Sequence, residues 1–216
     1  MTSLVNLRTK CRDEFVKIDP NSKVWSADVL DSYINRGYTQ TQKDGNYQWR
    51  ENQASTTATS VSGTQEYSLP SDFIRLKLLR YNGDQLEKVD YMSLLIENST
   101  MPTGKPYQYY LYGGNYGLYP TPNDAQTIDI YYLKLLPTIT TSQASALPDP
   151  FDDAICEFAK YAAFLSVQKQ PQAQLALADY NFMIQTLMTS YINEDENIKF
   201  GYQRMGGSMR NDVLYR

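Results

Sequence analysis

The hydrophobic period changes twice along this chain, and that double switch limits the folds open to it. From residue 3 to about 42 apolar side chains recur every three or four positions. From about 46 to 147 they alternate or cluster in short aromatic runs, and from Pro148 to about Asn193 the helical period returns. A period of about 3.6 buries one face of a helix, whereas a period of 2 buries one face of a strand. The middle therefore cannot continue the flanks. The expected class is α+β: a four-helix bundle from 1–45 and 148–193, an inserted antiparallel β domain over 46–147, and an extended C-terminal arm over 194–216.

The flanks carry ordinary helix signals. Leu4, Leu7, Cys11, Phe15 and Ile18 share one face, and Asp19-Pro20-Asn21 breaks the pattern. Ser26 is placed to cap a helix over about 27–42, with Asp28 in its first turn and Trp25 positioned to staple back on Leu30. After Pro148-Asp149-Pro150, the residues Phe151, Ala154, Ile155, Phe158, Ala162 and Leu165 define a face. Ala159, Ala163, Phe164 and Val167 extend it nearly all round, which predicts the most buried helix of the bundle. Pro171 suits the first turn of a last helix, antiparallel to it, with a face of Ala173, Ala176, Leu177, Tyr180, Met183, Ile184, Leu187, Met188 and Tyr191.

Within the insert, Tyr47-Gln48-Trp49-Arg50 reads as a strand, and the polar 53–64 segment as an exposed hairpin or mobile loop. Ile74, Leu76 and Leu78 alternate with Arg75, Lys77 and Leu79, giving a strand with a basic outer edge. Asn82-Gly83-Asp84 is a turn, Gln85 to Val89 the partner strand, and Thr138 to Ala146 a Ser/Thr-rich linker. Pro106 to Pro137 holds eight of the chain's 19 tyrosines, folded back at Gly113-Gly114-Asn115. Those rings admit three readings. They are a β core, a subunit or tail interface carried by Tyr109, Tyr110, Tyr112 and Tyr116, or exposed rings that stack on sugars.

Chemistry is conspicuous by what is missing. There is no histidine, hence no imidazole base and no imidazole metal ligand. Cys11 and Cys156 lie in helical patterns and read as reduced, packed thiols, with a disulfide left open. The acids Asp152, Asp153 and Glu157 could form a carboxylate pair, but a helix N-terminus attracts such charge without any catalysis. Asn193 to Asn197 lacks the ligand spacing of a calcium loop, and Gly113-Gly114-Asn115-Tyr116-Gly117 does not precede a helix as a phosphate cradle would. The net charge of −4 gives no basic field for nucleic acid, and no apolar run reaches the length of a membrane span or a secretory signal. The expectation is a protein folded in a cytosol, with no catalytic residue, metal or cofactor.

The order WSADVLDSYIN, YSLPSDFIRLKLLRYNG, PYQYYLYGGNYGLYPTP, TIDIYYLKLLP and LPDPFDDAICEFAKYAAFL resembles the head-to-tail adaptor (connector) proteins of tailed bacteriophages. The resemblance spans about residues 1–193. It implies a helical bundle with a β insertion, made in the host cytoplasm and assembled at the virion's head–tail junction as a ring of usually twelve subunits. It implies a portal protein as one partner, neighbouring adaptor subunits as others, and a tail or nozzle protein below. Genomic DNA would pass through the lumen without sequence-specific binding, and no membrane is involved. By the same resemblance residues 195–216 dock on the portal, through Phe200, Tyr202, Arg204, Arg210, Val213, Leu214, Tyr215 and Arg216. Two other classes compete: a carbohydrate-binding or host-recognition module of a tail, resting on the tyrosines, and a hydrolase resting on paired carboxylates.

Overall fold

Five helices and ten short strands make up the described part of the chain, residues 2–15, 24–97 and 100–191 of a computed structural model. The helices are α1 (Leu4–Phe15), α2 (Ala27–Asp44), α3 (Tyr91–Glu97), α4 (Phe151–Ser166) and α5 (Gln170–Tyr191). The strands are β1 (Gln53–Thr59), β2 (Glu66–Ser68), β3 (Phe73–Tyr81), β4 (Asp84–Gln85), β5 (Glu87–Lys88), β6 (Thr103–Gly104), β7 (Gln108–Tyr112), β8 (Asn115–Tyr119), β9 (Thr121–Pro122) and β10 (Thr127–Lys134). The fold is mixed α+β. It divides into two compact units, one of Met1–Arg50 with Pro137–Arg216 and one of Glu51–Leu136, over their described residues.

In the helical unit α4 is the central element. Phe151, Ala154, Ile155, Cys156, Ala159 and Ala163 are fully buried, and α4 packs on α5, α2 and α1. The small residues allow close approach. At Gly37 of α2 an added Cβ would sit 2.7 Å from the Ile155 carbonyl oxygen of α4. Ser26 caps α2 as its position predicts, its hydroxyl oxygen accepting from the Val29 amide. Trp25 is buried and its indole N–H donates to the Ser166 hydroxyl at the end of α4. Cys11 and Cys156 are buried thiols with no disulfide between them.

Two segments assigned to the insert belong to this unit. Tyr47 to Arg50 is not a strand. Asn46 and Tyr47 take positive φ (51° and 56°), which turns the chain so that Trp49 folds under α2. The Trp49 indole donates to the Thr41 carbonyl at 2.9 Å and its ring meets Phe151 edge-on at 4.9 Å. The Ser/Thr-rich 138–146 segment is packed rather than a loose connection. Asn35 clips it, donating to the Ile139 carbonyl (3.0 Å) and accepting from the Ile139 amide (2.9 Å). Ile139, Ser145 and Leu147 are buried, and the Ala146 amide donates to the Tyr38 hydroxyl.

The β unit contains two four-stranded sheets, ordered β1-β10-β3-β4 and β2-β8-β7-β5, and a β6–β9 pair. Antiparallel pairing dominates, but β5–β7 and β6–β9 are parallel, two residues each, which departs from the purely antiparallel expectation. Leu79, Tyr81, Leu86, Tyr109, Tyr116, Leu118, Ile128, Ile130 and Tyr132 form one core. The segment 53–59 is not a loop: β1 is a regular edge strand paired with β10 over all seven residues. Along β3 the simple alternation fails. Ile74 and Lys77 have no partner on β10 because the register shifts at each. Each bulge flips the phase, so Phe73, Leu76, Leu79 and Tyr81 face the core in place of Ile74, Leu76 and Leu78. The partner strand is also shorter than Gln85 to Val89. Its last bond to β3 runs from the Leu86 amide to the Leu79 carbonyl, and Glu87–Lys88 joins the other sheet.

Candidate functional site

The tyrosine hairpin is built by its turn. Gly113 and Gly114 have φ of 58° and 83°, a left-handed pair that suits a two-residue connection between β7 and β8. Across this hairpin Tyr110 lies opposite Gly117. A Cβ on Gly117 would fall 2.0 Å from the Tyr110 ring, so the ring occupies the space that the glycine leaves open. Tyr110 is 1% exposed, its hydroxyl donates to Glu66 at 3.1 Å, and Tyr91 stacks on it at 4.5 Å. Burial, reinforced by the Glu66 charge, pushes its phenol well above the ordinary value. Tyr116 is buried against Tyr67 at 5.5 Å, and its hydroxyl has no hydrogen-bond partner among the described residues. Its phenol is likewise raised, by burial first.

Of the four tyrosines expected at an interface, Tyr109, Tyr110 and Tyr116 are therefore core residues, and the interface reading is corrected for them. Alternation in a strand marks two faces but does not say whether both are covered. Here one face packs into the unit's main core and the other receives α3, through Leu94, Tyr91 and Tyr110. Tyr112 alone keeps an exposed ring, at 51%, with Tyr91 leaning on it at 4.6 Å. The other exposed tyrosines of this unit are Tyr107 and Tyr131. Tyr107 is five residues before Tyr112 on an extended chain, a separation of about 17 Å. Tyr131 lies in the other sheet beneath the Arg80 guanidinium. These three rings do not make one flat platform for a sugar.

The acids of α4 do not converge either. Asp152 is buried, accepts from the Thr2 hydroxyl at 2.6 Å through one oxygen, and has no hydrogen-bond partner on the other among the described residues. Burial raises its carboxyl above the ordinary range. Glu157 pairs with Lys160 at 2.5 Å, and Asp153 with Lys10 at 2.7 Å. Five positions apart on a helix, Asp152 and Glu157 point about 140° away from one another. No group of acids, cysteines or histidines suited to a metal ion occurs among the described residues. A surface hollow of about 280 Å³ lies beside β1 and is lined by Gln53, Ala54, Ser55, Lys77, Tyr131 and Tyr132, with no carboxylate in it. No described helix is long and apolar enough to cross a membrane.

Both units expose apolar side chains. In the β unit α3 exposes Met92, Leu95 and Ile96, the last at 86%, while Leu94 between them is buried. In the helical unit α5 exposes Leu175 (66%) and Phe182 (72%), and Val5 and Val29 stand out from α1 and α2. Sequence reasoning missed both features. The α5 signal was legible, since Leu175 and Phe182 are seven residues apart and off the core face. The eight arm residues, Phe200, Tyr202, Arg204, Arg210, Val213, Leu214, Tyr215 and Arg216, lie outside the described residues.

Residues 2–205 match the family model described as SU10 adaptor protein. No curated protein matches the chain.

Proposed function

The chain belongs to the SU10 adaptor protein family of phage structural proteins, and on that premise we propose that it is the head-to-tail adaptor joining the portal to the tail. In this reading α1, α2, α4 and α5 form the four-helix body of a ring subunit, and twelve copies enclose part of the DNA passage. The protein performs no chemistry. It acts by contact with the portal above, its neighbours at either side and a tail or nozzle protein below. The observation that carries the reading is the family match, which runs through the helical flanks and the β insert together. The exposed apolar side chains on both units support it, because solvated surfaces of single-copy proteins rarely group them.

Residues 195–216 are the portal-docking element of this proposal. Repeated around a ring, one weak contact per subunit adds up to firm attachment. Deleting 195–216 is expected to leave a folded protein and to abolish co-sedimentation with portal particles of the same phage. Undiminished co-sedimentation of the truncated protein refutes the assignment.

A further inference from the structure

Helix α5 has two stripes, and the fold uses one of them. Ala173, Ala176, Tyr180, Ile184 and Leu187 face the core and are buried. Leu175, Ala178 and Phe182 follow a second three-and-four spacing on the far side, and all three are exposed. The surroundings of that second stripe are unusual for a solvated helix. Charged residues make up 20% of the chain, which for 22 residues is about four, yet α5 contains only Asp179. Interface cores are depleted of Lys and Glu in this way, whereas a helix face kept in water is normally rich in them.

The helical unit also carries a surface that complements this one. On α2, Val29, Ser32 and Arg36 are exposed at positions i, i+3 and i+7, and Val5 is exposed on α1. That α2 face offers the Val29 side chain for Leu175 and Phe182, and for Asp179 the charge of Arg36, whose guanidinium lies over the Phe158 ring of its own chain at 5.9 Å. The two patches lie on different helices of one chain, so a contact between them is head-to-tail and repeats from copy to copy, as a ring requires.

We propose that the outer stripe of α5, centred on Leu175, Ala178 and Phe182, seats against the exposed α2 face of Val29, Ser32 and Arg36 of a second copy of this chain. The inference rests on the ring reading above and adds to it the surface by which neighbours meet.

The test is cross-linking between two full-length variants, Ala178→Cys and Val29→Cys, mixed and treated with a short bismaleimide. The native Cys11 and Cys156 are buried and stay in place. Mixed pairs are expected to exceed, by about ten-fold, those formed by either variant alone or with an Asn123→Cys control on the β unit. Adding Phe182→Asp to the Ala178→Cys chain is expected to lower the yield about ten-fold, the loss that truncating one central contact brings. Phe182 is 72% exposed, so that change leaves the melting curve in place. Light scattering on the same samples separates the possible failures. Rings without mixed pairs, or Ala178→Cys pairing with itself, overturn the surface and leave the ring reading standing. A chain that stays monomeric and without cross-links even beside portal particles of the same phage overturns both.

Discussion

Substituting Gly117 by alanine tests whether the tyrosine hairpin is held as described, and the sign of the effect is itself diagnostic. Gly117 is not among the positive-φ glycines, so alanine meets no backbone penalty there. In a strand without steric conflict, Gly→Ala stabilises by about 0.5–1 kcal/mol, because glycine loses more freedom on folding. Here the new Cβ falls 2.0 Å from the Tyr110 ring, and 2.4 Å from its hydroxyl oxygen. The ring must leave its site between Gly117, Tyr91 and Glu66. Emptying a buried aromatic site costs about 3–5 kcal/mol. Offset by the strand gain, Gly117→Ala is expected to destabilise the β unit by about 2–4 kcal/mol. The cost should vanish once the ring is absent. Tyr110→Ala alone loses about 3–5 kcal/mol, and the double variant should lose no more than that, a strongly non-additive cycle. Trp25 and Trp49 both lie in the helical unit, so tryptophan fluorescence would miss the event. Amide hydrogen exchange of residues 108–119 reads it directly. Stabilisation by Gly117→Ala, or additive losses in the double variant, would refute the cross-strand packing.

Other consequences follow from single contacts in the helical unit. Tyr180 is buried and donates to Asp44 at 2.5 Å, and its phenol is pushed well above the ordinary value, first by burial and then by Asp44. The unfolded chain therefore gives up this proton near pH 10 while the folded one holds it, so the stability it contributes is whole below pH 10 and falls as pH rises beyond. Tyr180→Phe should cost about 1 kcal/mol at neutral pH, since Asp44 is solvated, and should make alkaline melting curves shallower in pH; a steeper alkaline dependence would contradict this. Asn35→Ala removes both hydrogen bonds to Ile139 and is expected to cost about 2–3 kcal/mol. Its signature is faster exchange over 138–146, and unchanged protection there would show that the segment is held by burial alone.

Much of this protein is written in its local sequence. The period of 3.6 around Leu4, Leu30, Phe151 and Ala173, the Ser26 cap and the paired glycines at 113 and 114 act within a few residues. Helix placement, the hairpin turn and the alternation of Ile128, Ile130 and Tyr132 follow from them. Such signals say which face of an element is apolar. They do not say what covers it. That is why Tyr110 and Tyr116, apolar rings on a half-polar hairpin, admit an interface reading beside the core one until α3 packs on Tyr110 and β2 pairs beside Tyr116.

Other features depended on partners distant in sequence. The polar β1 segment, with little to bury, becomes a strand because β10 offers seven residues of backbone to pair with. Lys77 and Ile74 are bulged because β3 is longer than the β10 residues it matches, which no local pattern records. Trp49 joins the helices because its indole finds Thr41 and Phe151, and residues 138–146 are pinned by an Asn35 side chain 104 positions away. Periodicity is a property of neighbours along the chain. Burial, register and the exposure of Leu175 and Phe182 are properties of neighbours in space, and those were settled only when the elements packed.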